Sequence, residues 1–341
     1  MSPRTLRFLL FTALGLVVFP FAIHPIGGYA GLATQVCIMA IAAVALNLLL
    51  GEAGMLSYGQ ALFYGGGAYI SAILLQHAMP GHPNLLLAVL GGVLFCAAAA
   101  ALLGAFVVRL YGIYFALLTL AFAQMGFFIV EQAKDWTNGD DGLQSIPNAP
   151  LYLGPWGIDL QQKLPALDLG PFGNLSEVHY WYVFAAVVLL LVLWFVRILN
   201  RSQFGEVLAA IRENEDRSKM IGFVPSFYRF AAFVLAGALT GLAGGLRAIY
   251  DGSVAVEAVG IDRSAAFVIY AVVGGVQTLL GPVIGTGLIM YLENVLSAKT
   301  DTWRLIEGLI FVAAIVFLPA GIVGTFKRKK KPDFDKVLAV K

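Results

Sequence analysis

Largely apolar runs of membrane-crossing length, each with at most one charged residue, recur along most of this chain, and they leave it few ways to fold. About 20 such residues cross a hydrocarbon core as a helix, and in lipid every backbone N–H and C=O must find its partner within the protein. The runs are Leu6–Ile23, Gly31–Leu50, Ala61–Met79, Leu85–Val108, Gly112–Val130, Tyr180–Leu199, Phe230–Ile249, Ala265–Leu279, Val283–Ser297 and Leu305–Val323. They predict an all-α polytopic membrane protein with about ten crossings. Only 12% of residues are charged, against about 25% in soluble domains. Ala265–Leu279 and Val283–Ser297 are short and flank Gly281-Pro282, the pattern of tilted, broken or re-entrant helices. Gly28-Tyr29-Ala30 loosely imitates a signal cleavage site, but the first run exceeds the usual apolar region of about 7–15 residues, which favours an uncleaved span.

The placement of charge orients these spans. A net charge of +2 gives no reason to expect a nucleic-acid partner. Short cytoplasmic loops carry an excess of Lys and Arg. Starting inside with Arg4 and Arg7, the threading puts Arg109, the loop 200–229 and a basic tail 327–341 in the cytoplasm, with both termini. The tail is expected to lie against anionic lipid. The same threading puts 131–179 outside, where acidic residues outnumber Lys134 and Lys163 and prolines forbid a long helix. Turns and one short helix are expected there, in a lid or docking surface. Lys299 and Arg304 fall outside against the rule, as snorkelling side chains near helix ends. A single transmembrane domain over 1–326 accounts for the remainder.

Three stretches could carry function. Gln203–Gly222 is a charged island read as a helix outside the bilayer, with Val207, Ala210 and Ile211 on one face. A solvated loop and a docking helix both fit that pattern. Glycines concentrate in Gly51–Tyr69 and again in Gly274–Gly285. Such residues pack plain helices closely, or break helices that line a cavity and bind a zwitterion. The polar groups beside them, Ser57, Gln60, Tyr69 and Gln277, with Gly66, Gly274, Gly275, Gly281 and Pro282, mark a candidate substrate path.

No catalytic or metal-ligand spacing is present, and Cys37 and Cys96 lie inside apolar runs. The chain has no phosphate-cradling GxxxxGK[ST] loop, so any ATP is expected on another subunit. Glu52, Arg247 and Glu293 are the ionisable residues nearest a span, all near predicted ends, and form no evident proton relay.

The stretches GEAGMLSYGQALFYGGGAY (51–69), RLYGIYFALLTLAFAQ (109–124), TNGDDGLQSIP (137–147), FGEVLAAIRENEDRSKMIGFVPSFYRFAAFVLAGALTGLAGGL (204–246) and GGVQTLLGPVIG (274–285) resemble the LivM-type permeases of branched-chain amino-acid ABC importers. The resemblance runs through nearly the whole chain. It implies a type II importer fold in a bacterial inner membrane. The implied partners are a second, LivH-like permease, two cytoplasmic ATPases that bind ATP and Mg, and a periplasmic substrate-binding protein. It assigns Gly205, Glu206, Val207, Ala209, Ala210, Ile211, Arg212, Glu213, Asn214 and Gly222 to the loop that docks on an ATPase, whose cleft is then expected to bury the stripe Val207, Ala210 and Ile211. Thr137, Asn138, Asp140 and Asp141 become candidates for an outer gate or binding-protein dock. Asn138 and Gln277 stand where the family commonly has glycine. Related systems move urea, short amides or aromatic acids. A self-sufficient secondary carrier and a membrane enzyme are the remaining alternatives.

Overall fold

The computed structural model describes residues 12–20, 30–79, 82–153, 156–162, 180–300, 302–318 and 320–327. The ends of the first apolar run, residues 163–179 and the basic tail beyond residue 327 lie outside those. Residues 12–20 are helical. The helices that follow are α1 (Ala30–Asn47), α2 (Gln60–Ile73), α3 (Leu85–Val107) and α4 (Ile113–Gln132), then α5 (Tyr180–Arg201), α6 (Gln203–Glu213), α7 (Glu215–Met220) and α8 (Pro225–Asp251). The chain continues through α9 (Ile261–Gly274), α10 (Gly281–Ser297), α11 (Trp303–Phe317) and α12 (Gly321–Lys327). Among the described residues six stretches, Gly31–Glu52, Leu85–Val107, Ile113–Gln132, Tyr180–Arg201, Pro225–Asp251 and Trp303–Thr325, are long and apolar enough to cross a membrane. Helices α2, α9 and α10 are shorter.

Helix α1 continues through a π-turn, Leu48–Glu52, and forms the centre of the bundle, packed by α5, α8, α9 and α10. It is apolar on every side, with Ile38, Ala40, Ile41, Ala42, Ala43 and Ala45 fully buried, as a helix surrounded by others must be. Helix α8 packs most extensively on α2 and α3. There the chain needs glycine, because a Cβ on Gly244 would fall 1.8 Å from the Tyr64 carbonyl oxygen and one on Gly67 2.2 Å from that of Gly241. In a membrane, where lipid tails are as apolar as side chains, such close packing replaces the hydrophobic drive between helices.

Helix α2 begins inside the bundle. Gln60 accepts a hydrogen bond from Thr240 Oγ1 (2.7 Å), and Thr240 lies near the middle of α8. The segment before it, residues 53–59, is non-helical; Ala53 and Met55 N–H donate to the carbonyls of Leu48 and Leu49 (3.3 and 2.9 Å), and side chains accept from donors further on. Tyr58 N–H donates to Thr119 Oγ1 (3.1 Å), Gly59 N–H to Ser57 Oγ (3.2 Å) and Ala61 N–H to Ser264 Oγ (2.9 Å). A broken helix is tolerated at membrane depth only when its freed groups are paired this way. Ser264 belongs to the first turn of α9, so the starts of α2 and α9 meet. At its far end α9 turns into α10 through Gly275, at φ +120°, and a Cβ on Gly274 would fall 1.8 Å from the Gly281 oxygen. Asn47 Nδ2 donates to Thr278 O (3.2 Å), pinning this turn to α1.

The described residues of the 131–179 region include a helical turn, Lys134–Thr137, and a 3₁₀ turn, Gly139–Asp141. The region also holds something the sequence reading did not anticipate, an antiparallel hairpin of β1 (Leu151–Leu153) and β2 (Trp156–Ile158), with Leu151 opposite Ile158. An isolated bridge between Leu143 and Val254 ties the region to the α8–α9 connection.

Candidate functional site

The loop joining α5 to α8 folds against the chain's own core. Helix α6 approaches the end of α5 so closely that a Cβ on Gly205 would lie 2.6 Å from the Asn200 backbone. Leu208 packs in one apolar cluster with Leu49, Ala53, Met55 and Val107. Val207 and Ile211 are buried too, at 8% and 2% exposure. This corrects the expectation that they wait for an ATPase cleft: α6 is amphipathic because the bundle covers one face. Ala209 and Arg212 are half-buried, whereas Glu206, Ala210, Glu213, Asn214 and Gly222 are exposed. The apolar surface facing outward comes later, at Met220 (81% exposed), Ile221 (69%), Val224 (59%) and Phe227 (63%).

Polar contacts tie this loop to two neighbouring segments. Arg212 donates to the carbonyl of Gly51, and Asn200 Nδ2 to Glu52 Oε1 at 2.7 Å. At the head of α7, Glu215 accepts from Tyr111 OH (2.9 Å) and pairs with Arg229 and Lys219, each at 2.8 Å. The Arg229 guanidinium sits 4.5 Å from the Tyr111 ring centroid. Partial burial pushes the Glu215 carboxyl up, but hydrogen bonds from Lys219 and Tyr111 and the charge of Arg229 outweigh it and hold the group below its ordinary value. The hydrogen bond to Glu215 in turn raises Lys219.

The candidate path residues are scattered. Ser57, Gln60 and Tyr69 are buried among helices, and the Gln60 Nε2 and Tyr69 hydroxyl have no hydrogen-bond partner. Gly66 faces Phe95 and Cys96 on α3. Gly274, Gly275, Gly281 and Pro282 are buried in the α9–α10 turn, where the glycines serve close backbone approach, and Gln277 is exposed. Beside the broken segment runs a groove of about 620 Å³, lined by Gly54, Leu56 and Tyr58 on one side and Gly112, Ile113 and Ala116 on the other. Ile261, at the start of α9, completes it.

A second cavity, of about 360 Å³, is one that sequence reasoning missed. Glu257, Asp262, Arg263, Glu293 and Arg304 line it, with Ala266, Ile269, Tyr270 and Trp303. From the sequence Glu293 stands out as an ionisable residue near a span and Arg304 as a snorkelling cation, whereas Glu257, Asp262 and Arg263 sit in polar connections and helix ends that span counting passes over. Among the described residues no group of three or more His, Cys, Asp or Glu could hold a metal ion.

In the 131–179 region, Thr137 and Asn138 build a turn. The Thr137 hydroxyl lies 2.6 and 2.8 Å from the carbonyls of Val130 and Ala133. Asn138 adopts φ +61°, a left-handed conformation that glycine and asparagine take most readily, and its Nδ2 donates to Gly142 O (3.2 Å). That accounts for asparagine where glycine is common. Asp140 and Asp141 are exposed.

A broken-helix bundle with a groove beside the break, and the loop between α5 and α8 clamped to that break, describes a multi-pass membrane permease. Residues 28–315 match the family model described as the branched-chain amino acid transport system / permease component, and the chain belongs to that family. It is 28% identical over 315 residues to the high-affinity branched-chain amino acid transport system permease protein LivM of Salmonella typhimurium, covering 90% of this chain and 72% of that protein. The LivM of Escherichia coli is 27% identical over the same proportions. A probable branched-chain amino acid transport permease protein LivH of Methanocaldococcus jannaschii is 29% identical over 48% of this chain and 54% of its own length. No solved structure matches significantly.

Proposed function

We propose that this chain is the permease subunit of an ABC importer that carries branched-chain or other hydrophobic amino acids into the cytoplasm. The family match over residues 28–315 carries this reading. The LivM relatives support the substrate class and the LivH relative a second permease subunit. Two cytoplasmic ATPases supply ATP and Mg chemistry, and a periplasmic binding protein delivers substrate. The membrane is a bacterial inner membrane with both termini cytoplasmic. The chain itself performs no covalent step.

Its task is to convert a push on the cytoplasmic loop into a change at the groove. The exposed ridge Glu206, Ala210 and Glu213, with Met220, Ile221 and Phe227, meets the ATPase. Arg212, Asn200 and Leu208 carry the movement to residues 51–59, and Glu215 carries it through Tyr111 to the start of α4. Both routes end on the groove's rim, at Gly54 to Tyr58 and at Gly112 and Ile113. A ligand shifts such an equilibrium only through differential affinity for the two states, and ATP-driven closure of the ATPases provides it.

Uptake of labelled L-leucine tests the proposal, in cells lacking their own leucine carriers that express this chain with its partner genes. Uptake should require this chain, survive a protonophore and disappear when ATP is depleted. Uptake by this chain alone that follows the proton gradient would make it a secondary carrier instead.

A further inference from the structure

The charged cavity between α9, α10 and α11 is left unused by the coupling route. Its groups come from four separate elements: Glu257 from a 3₁₀ turn, Asp262 and Arg263 from the first turn of α9, Glu293 from α10 and Arg304 from the start of α11. Arg263 and Glu293 are half-buried, and Arg263 stacks 5.9 Å from the Tyr64 ring centroid, against the bundle core. Glu257, Asp262 and Arg304 are exposed; between the half-buried Arg263 and Glu293 attraction grows as screening falls, so opposite charges there normally close on one another. None of these five forms an ion pair with another. They face one another across a cavity whose volume, about 360 Å³, lies within the range of small-molecule sites.

We infer that this cavity is a binding site for a zwitterionic α-amino acid, with Arg263 and Arg304 receiving the carboxylate and Glu293, Glu257 and Asp262 the ammonium group. Ala266, Ile269 and Trp303 supply an apolar wall for a hydrocarbon side chain. The mixture separates this ligand from its competitors. An anion would leave three carboxylates unanswered, and an amine would leave two guanidiniums so. The site also adjoins the groove, since Ile261 lines the groove and the next two residues line the cavity. One turn of α9 therefore separates a holding place for substrate from the proposed route inward. The inference rests on the importer reading above and adds a location and a recognition chemistry to it.

The test uses the importer assembled from this chain and its partner subunits in phosphatidylglycerol nanodiscs. Without binding protein, it is titrated with L-leucine, with isoamylamine, which lacks the carboxylate, and with 4-methylpentanoate, which lacks the ammonium. Arg263→Gln should weaken L-leucine and 4-methylpentanoate by about tenfold or more, the scale of one lost charge-assisted contact, and leave isoamylamine nearly unchanged. Glu293→Gln should do the reverse, weakening L-leucine and isoamylamine alone. Arg304→Gln repeats the first arm should Arg263→Gln fail to assemble. Equal weakening of all three ligands by both variants would mean a general packing role and overturn the site. Unchanged leucine binding in both variants would overturn it too, and if the same assemblies still import leucine the importer reading stands. An effect that appears only with phosphatidylethanolamine would assign the cavity to a lipid headgroup and also overturn it. Absence of ATP-dependent leucine import by the wild-type assembly with its binding protein would instead remove the importer reading.

Discussion

The carboxylate of Glu215 is held by Tyr111, Lys219 and Arg229, which come from three separate parts of the chain. Because the folded protein depresses this group below its ordinary value, folding favours the ionised form. Its contribution is complete above the ordinary glutamate value of about 4.3 and is lost as pH falls through the lower folded value. Glu215→Gln should therefore lower the melting temperature in detergent at neutral pH, and the gap from wild type should close in acid; a gap independent of pH would detach stability from this charge. Two neighbours on α6 separate folding from docking. Ile211 is 2% exposed, so Ile211→Asp places an unpaired carboxylate in the core at a cost of several kcal/mol, and the folded yield should fall. Ala210 is exposed, so Ala210→Asp should fold normally and lose ATPase association in a pull-down. The spacing of apolar residues on α6 revealed that one face is covered but not what covers it, since the covering atoms lie at Leu49 and Val107, far away in sequence.

Helices α2 and α8 meet backbone to backbone at Gly67, Gly241 and Gly244. Gly244→Val should prevent assembly outright, because the obstructing atom, the Tyr64 carbonyl oxygen, belongs to a helix that cannot yield as a side chain could. Size-exclusion chromatography of the extracted protein reads this, and a monodisperse, active variant would contradict the packing. The loop after α7 behaves differently, with Met220, Ile221 and Phe227 exposed. Replacing all three by serine should leave extraction and melting unchanged and remove ATPase association. Most helices were legible in the sequence, since a run such as Leu85–Val108 has only one stable outcome in lipid. The depth at which α2 begins was not, because the bond that fixes it joins Ala61 to Ser264. The charged cavity was hidden for a similar reason. Glu257, Arg263 and Arg304 read as polar ends of separate segments until the bundle brings them together.

For the whole molecule, the proposed topology sets the 200–229 loop against the 131–179 region across the membrane. Ser218 is buried, at 2% exposure, and makes a poor labelling site, whereas Lys219 and Asp140 are exposed. In a background without Cys37 and Cys96, an impermeant thiol reagent applied to intact cells should reach a cysteine at Asp140 and miss one at Lys219; the opposite pattern would invert the protein. The bond between Ala61 and Ser264 also has a consequence for how the chain is made. The partner of the Ala61 N–H is synthesised 203 residues later, and that of Asn47 231 residues later. While ribosome and translocon release the first half, the start of α2 holds an amide with no native acceptor, in surroundings that supply little water. The amino-terminal half must therefore wait in an unfinished state, and nascent chains halted before α9 should be substrates for membrane proteases until residue 264 arrives.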